Sequence, residues 1–186
     1  MARLIYSAIS SLDGYIEDSA GKFDWAEPEP DLHAFINDLE RQAGTYLYGR
    51  RMYETMASWE TDLGLADLSP EAREFAGIWK AADKIVYSRT LRSPSTARTL
   101  VVADFDPAEV RRLKDRASQA ISIGGPTLAK SAFDAGLIDE LQLFLVPIVV
   151  GSGKRSLPVD GKLALKLVEQ RRFPAGTTYL RYLTRV

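Results

Sequence analysis

The sequence predicts an α/β fold: a mostly parallel sheet covered by helices on both faces, with an antiparallel hairpin at one edge. Three observations lead there. β-type runs alternate with helix-period segments from Leu4 to Gly136, several helices open on a Ser, Asp or Pro start signal, and two further β-type runs flank Ala175-Gly176. Strands separated by helices pair in parallel, whereas strands joined by a short turn pair antiparallel. At 186 residues, 46% hydrophobic and 26% charged, the chain has the size and balance of one domain, 1–186, with its own core.

Leu4 to Ile9 reads as a buried first strand, followed by Ser11-Leu12-Asp13-Gly14 and a polar loop to Pro30. Loops of that length are usually functional, and Trp25 within it is a large apolar group that must be packed. Leu32, Phe35, Ile36 and Leu39 recur at helical spacing, so 30–42 is a helix with Pro30 in its first turn. Thr45 to Tyr48 is a strand and Arg50 to Met56 a helix. Ser69-Pro70 starts another helix, with Phe75, Ile78, Trp79 and Ala82 inward. Lys84 to Ser88 and Thr99 to Ala103 are strands, and Asp106-Pro107-Ala108-Glu109 opens a helix that turns Val110, Leu113 and Ala117 inward. Ala120 to Ile123 is a strand meeting Gly124-Gly125, and Pro126 to Ala135 is a helix stopped by Gly136. Leu141 to Val150 is the longest β-type run, and Leu163 to Phe173 with Thr177 to Thr184 forms the closing hairpin. So apolar a run, if exposed at an edge, would need covering by a second copy, which predicts a homodimer.

Composition narrows the chemistry. Without cysteine there is no disulfide, thiolate nucleophile or Cys-ligated metal, and a single histidine, His33, rules out a multi-histidine site within one chain. No metal is expected, and His33 reads as a surface residue. A net charge of -1 offers a polyanion no bulk attraction, so nucleic acid is not expected as a partner. The start, Met1-Ala2-Arg3, leads straight into a strand-like run, and no apolar run approaches the roughly 20 residues of a membrane span. The expected setting is cytoplasmic, away from membranes. Carboxylates, hydroxyls, Lys and Arg remain, a set that favours chemistry carried by a bound cofactor.

In parallel sheets ligands bind beyond the carboxyl ends of the strands. Three junctions there carry suitable residues. Ile123-Gly124-Gly125-Pro126-Thr127-Leu128 sets two glycines before a helix start, where free N–H groups and the dipole favour an anion; a plain tight turn fits the same residues. Gly49-Arg50-Arg51 puts two guanidinium groups at a helix start, a placement the dipole disfavours unless an anion is present or the side chains pair with surface carboxylates. Ser88-Arg89-Thr90 follows another strand with two hydroxyls and a guanidinium. Asp31, in the first turn of its helix, and Asp13, in a Leu-Asp-Gly turn, are candidate acids that also have plain roles as helix-start and turn residues.

Taken in order, Ala8, Ser11-Leu12-Asp13-Gly14-Tyr15-Ile16, Gly49-Arg50-Arg51-Met52-Tyr53-Glu54, Ser88-Arg89-Thr90 and Ile123-Gly124-Gly125 resemble the dihydrofolate reductase superfamily, which includes the reductase domain of bacterial riboflavin biosynthesis. The resemblance runs nearly the whole chain and implies a three-layer α-β-α fold binding NADPH. It would put the adenosine phosphates on Gly49, Arg50, Arg51, Ser88, Arg89 and Thr90. The pyrophosphate would lie on Gly124 to Leu128, and Ala8 and Ile16 would border the nicotinamide. The three arginines together suggest NADPH over NADH. Trp25, Asp31 and Phe35 resemble the pterin side of dihydrofolate reductase, with Asp31 the proton donor and Asp13 beside the substrate; burial would have to raise the Asp31 pKa for that task.

Met52 stands where dihydrofolate reductases usually carry threonine, Pro126 where a third glycine is usual, and the Asp-Asn-Pro segment of the riboflavin-pathway enzymes is missing. The chain therefore resembles a stand-alone branch between the two. The implied activity is reduction of a pterin-like or pyrimidine-like heterocycle. One alternative is 5-amino-6-(5-phosphoribosylamino)uracil reductase; another, from a different class, is a non-catalytic nucleotide-binding dimer.

Overall fold

The computed structural model describes residues 1–66 and 69–184. Its first strand, β1 (Leu4–Ser11), turns Leu4 and Tyr6 to one face and Ile9 to the other, the period-two pattern of a strand buried on both sides. β2 (Tyr15–Asp18), a 3-10 turn at Asp24–Ala26 and α1 (Pro30–Glu40) follow, then β3 (Ala43–Gly49), α2 (Arg50–Thr61), α3 (Leu63–Ala66), α4 (Pro70–Ala81) and β4 (Asp83–Tyr87). The chain continues through β5 (Thr99–Val102), α5 (Pro107–Arg116), β6 (Ala120–Gly124), α6 (Pro126–Asp134) and β7 (Glu140–Val146). It ends with β8 (Gly153–Arg155), β9 (Lys166–Arg172) and β10 (Thr178–Leu183).

Eight strands form one sheet in the order β5-β4-β3-β6-β1-β7-β10-β9, and only β10 runs against the rest. Leu47, Ile121, Ile123 and Leu141 join Leu4 and Tyr6 under Val110 of α5 and Leu128, Ala129 and Ala132 of α6. Tyr46 and Tyr48 of β3 point the other way, into Tyr53 and Ala57 of α2 and Phe75 and Trp79 of α4. Leu32 of α1 closes that side over Phe144, Phe173 and Tyr179. The three layers are those expected. Because α1 crosses on one face and α6 on the other, the chain reverses its winding around β1 and β6, and a crevice opens at their carboxyl ends.

Four expectations need correction. The run 141–150 stops being a strand at Val146, since Pro147 has no N–H to continue a ladder, and β7 lies inside the sheet between β1 and β10. The chain's own hairpin covers it, so the argument for a homodimer from this strand falls; the exposed apolar side chains on the two edge strands are Leu100 of β5 and Leu167 and Val168 of β9. That hairpin starts at Lys166 rather than Leu163. The long loop after β1 contains β2, which pairs with β8 in a small second sheet. His33 is half-buried against Trp59 and Phe75, ring centroids 6.1 and 6.0 Å away, and burial lowers its pKa.

At the end of α1, Glu40 has one carboxylate oxygen sealed from solvent and without a hydrogen-bond partner among the described residues. Burial pushes its pKa from 4.5 up to about 7; the Tyr46 hydroxyl lies close enough to oppose this without forming a well-shaped hydrogen bond. Between those two values the folded chain holds a proton that the unfolded chain has released, so stability falls as pH rises through the window. Glu40→Gln removes the charge and keeps the shape. Thermal melting is expected to show the variant more stable than the parent at pH 8, by on the order of 2 kcal/mol, and nearly equal at pH 4.5. A parent curve flat between pH 5 and 8 would contradict this.

Candidate functional site

The register of β3 against β6, with Tyr48 opposite Gly124, sets two strand-to-helix junctions side by side. Gly49 leads into α2 and Gly125 into α6, and the two helices touch there: a side chain on Gly125 would meet the Met52 Cβ at 3.4 Å. The other long helices are neutralised at their starts, α4 by the Ser69 hydroxyl, α5 by the Asp106 carboxylate and α1 by Asp31 in its first turn. α2 and α6 have neither a side-chain cap nor an acidic first-turn residue. Two positive dipole ends with free first-turn N–H groups therefore share one corner of the crevice, a setting for an anion.

The glycines there have different reasons. A side chain on Gly124 would lie 2.8 Å from the Tyr48 ring, so its absence serves internal packing. Gly125 has φ +85°, which L side chains rarely adopt. Gly49 has an ordinary φ of -77° and open space around its missing side chain, so neither the backbone nor the packing requires glycine. The side chains of Ile123, Pro126 and Leu128 are buried, leaving the backbone and the exposed Thr127 to face a ligand.

The three arginines diverge. Arg50 donates from Nη1 to Thr90 Oγ1 at 2.9 Å and from Nε to Glu54 at 2.7 Å. Ser88 Oγ accepts from the Thr90 and Leu91 amides at 3.2 and 3.0 Å, which places both hydroxyls beside the Arg50 guanidinium. Arg89 reaches Asp104 at 2.8 Å. Arg51 turns to β2 and grips Glu17 at 3.2 and 2.9 Å. The structure thus brings Arg50, Ser88 and Thr90 together, with Arg89 on their rim, and separates Arg51 from them.

On the substrate side, Ala8 lies partly buried in β1 and Ile16 partly buried in β2. Asp13 accepts from the Ser11 hydroxyl at 2.7 Å and from the Gly151 and Val150 amides at 2.7 and 3.2 Å. These bonds, that from Ser11 foremost, hold its pKa below the usual value, so Asp13 ties down the loop after β7 as an ionised carboxylate. Phe35 packs among Phe144, Phe173 and Tyr179 with ring centroids 4.9 to 6.4 Å away, and the Arg171 guanidinium lies 4.8 Å above it. Trp25 keeps a buried indole N–H with no partner among the described residues, and it is not among the residues that line the pocket beside Asp31.

Asp31 is exposed, not buried as the sequence reading required. It stands on the rim of a pocket of about 190 Å³ lined by Glu29, Pro30, Leu32, Phe173, Ala175 and Thr177. Leu32 is the residue that α1 turns inward at this point, which leaves its predecessor toward water. The sequence reading also missed Glu17, Arg171 and Phe173. Glu17 lies on a four-residue strand too short to show periodicity, while an aromatic at the end of a hairpin strand was the available signal for Phe173.

This fold and crevice define an α/β protein of dihydrofolate reductase type. The chain belongs to the RibD C-terminal domain family, whose sequence model matches residues 2–179. It is 30% identical over 185 residues to the uncharacterised YyaP protein of Bacillus subtilis, covering 97% of this chain and 94% of that one. Among solved structures it is similar to a putative riboflavin biosynthesis protein from Shewanella sp. PV-4, with a TM-score of 0.77, 21% identity and all of both chains covered. A pyrimidine reductase-like protein from Corynebacterium diphtheriae aligns with a TM-score of 0.67 at 16% identity, covering 100% of this chain and 92% of that one. A Thermotoga maritima diaminohydroxyphosphoribosylaminopyrimidine deaminase/5-amino-6-(5-phosphoribosylamino)uracil reductase aligns with a TM-score of 0.66 at 16% identity, over 98% of this chain and 56% of that one. Among the described residues no helix is long and apolar enough to cross a membrane.

Gly49→Val tests the anion corner without straining the fold. Because the position has an ordinary backbone and free space, the loss of stability is expected to stay below about 1 kcal/mol, while affinity for NADPH, the cofactor that the sequence resemblance implies, is expected to fall at least roughly tenfold in calorimetry. Unchanged affinity in a folded variant would move the ligand elsewhere. Gly125→Val cannot serve this purpose, since its φ makes it costly whether or not anything binds.

Proposed function

We propose that this chain is an NADPH-dependent reductase that transfers a hydride to a conjugated C=N or C=O of a pyrimidine-like or pterin-like heterocycle. The observation that carries the reading is the shared corner of two unneutralised helix starts, with Arg50, Ser88 and Thr90 beside it. An extended dinucleotide carries a pyrophosphate and a separate 2′-phosphate, one anionic group for each of these two clusters. The names of the Corynebacterium and Thermotoga relatives favour a pyrimidine.

NADPH supplies the hydride when bound. The residues divide the remaining work. The Gly49 and Gly125 junctions would hold the pyrophosphate, and Arg50, Ser88 and Thr90 would hold the 2′-phosphate by charge-assisted bonds. Asp31, at the pocket rim, passes the proton that must reach the substrate heteroatom as hydride reaches its neighbouring carbon. A ring seated over Phe173 and Leu32 would displace the water around that carboxyl and bring it within reach of the substrate heteroatom.

NADPH oxidation, followed with a panel of pterins and ribosylaminopyrimidines, tests the reading. Turnover with at least one of them is expected, and binding without any turnover would favour a nucleotide-binding protein that is not an enzyme. NADPH is expected to bind roughly 10- to 100-fold more tightly than NADH, the worth of one or two charge-assisted bonds, and Arg50→Gln to remove most of the difference. Equal affinities in the parent would cancel the 2′-phosphate assignment.

A further inference from the structure

Arg51 shares the start of α2 with Arg50, yet its guanidinium is committed to a different partner. It spans a cleft of about 710 Å³, walled among others by Asp18, Gly21 and Lys154, to close a two-pronged ion pair with Glu17. The halves of the pair are unequal: the Glu17 side chain is 14% exposed and that of Arg51 67%. The carboxylate is the fixed half. β2 is pinned by β8, with Glu17 opposite Lys154, and Gly153 of β8 comes so near that a side chain there would lie 1.9 Å from the Glu17 carbonyl oxygen. Glu17 takes the edge of the Arg51 guanidinium formed by Nη1 and Nη2, and an anion that uses that edge has to displace it; carboxylate and phosphate both fit such an edge in shape.

Arg51 also precedes Met52, the residue on which the start of α6 rests. The carboxylate of Glu17 thus pairs with a first-turn cation of α2, a helix whose first turn holds no acid of its own. We propose that Glu17 is a built-in competitor for the pyrophosphate: it holds Arg51 by the two-pronged pair, and a dinucleotide binds by taking Arg51 from it. This inference rests on the nucleotide reading above. Binding then exchanges one ion pair for another and leaves a little-exposed carboxylate facing two phosphates, so Glu17 lowers cofactor affinity and couples cofactor arrival to the β2–β8 pair. The 2′-phosphate subsite at Arg50 stays outside this competition.

Calorimetry on the full chain with NADPH and with 2′-AMP, which lacks a pyrophosphate, tests this. Glu17→Gln is expected to tighten NADPH roughly three- to tenfold, somewhat more than one partly exposed ion pair because the like-charge repulsion also disappears, and to leave 2′-AMP unchanged. In an Arg51→Gln background the same substitution is expected to give less than half that gain. Should Glu17→Gln melt far below the parent, Glu17→Asp carries the test: it keeps the charge but shortens the arm, and is expected to tighten NADPH about twofold. Unchanged NADPH affinity in a folded Glu17 variant overturns the inference, as does an equal gain with and without Arg51. A parent that binds NADPH but ignores Glu17 removes this inference alone, whereas a parent that binds neither ligand removes the nucleotide reading and the inference together.

Discussion

The pairing of β3 with β6 is the constraint on which the rest of the crevice depends. It puts Tyr48 opposite Gly124, with the Tyr48 ring so near that no side chain fits on that glycine, and it starts α2 and α6 against each other at Met52 and Gly125. Two like dipole ends in contact repel, and elsewhere this chain softens such ends with Ser69, Asp106 or Asp31. At the corner shared by α2 and α6 neither helix has a side-chain cap or a first-turn acid. A site that must receive an anion gains from leaving that charge unsatisfied.

The arginines around the corner are kept in place by carboxylates that a ligand can replace. Arg50 leans on Glu54, Arg89 on Asp104 and Arg51 on Glu17, and the guanidinium of each pair is about half exposed or more. Exposed pairs of this kind contribute roughly 0 to 1 kcal/mol, whereas a charge-assisted bond to phosphate is about twice as strong as a neutral one. These pairs order the site without closing it. Glu17 differs from the other two because its carboxylate is nearly buried and fixed by a neighbouring strand, which makes its hold on Arg51 the hardest to replace.

The layers of the fold were legible because they follow from local chemistry: Pro30, Ser69 and Asp106 begin helices where the sequence says they should, and alternation in 45–48 and 120–123 separates the two faces of the sheet. The junction residues were legible for the same reason. What lay outside such reasoning depended on tertiary partners. Asp31 and His33 sit on opposite flanks of α1, and which flank meets α4 and its Phe75 and which meets water follows from how the helix is seated. The β2–β8 pair is too short to show a period, so Glu17 and its hold on Arg51 were invisible. The length of 141–150 hid a boundary at Pro147 and suggested an exposed edge where β10 in fact completes the sheet.

A crystal structure of the chain with NADP+ bound is the most direct test of the central claim. The account predicts the pyrophosphate against the Gly49 and Gly125 junctions, within hydrogen-bond distance of first-turn amides of α2 and α6, with the 2′-phosphate on Arg50, Ser88 and Thr90. A nucleotide seated elsewhere, with both helix starts left to water, would contradict it.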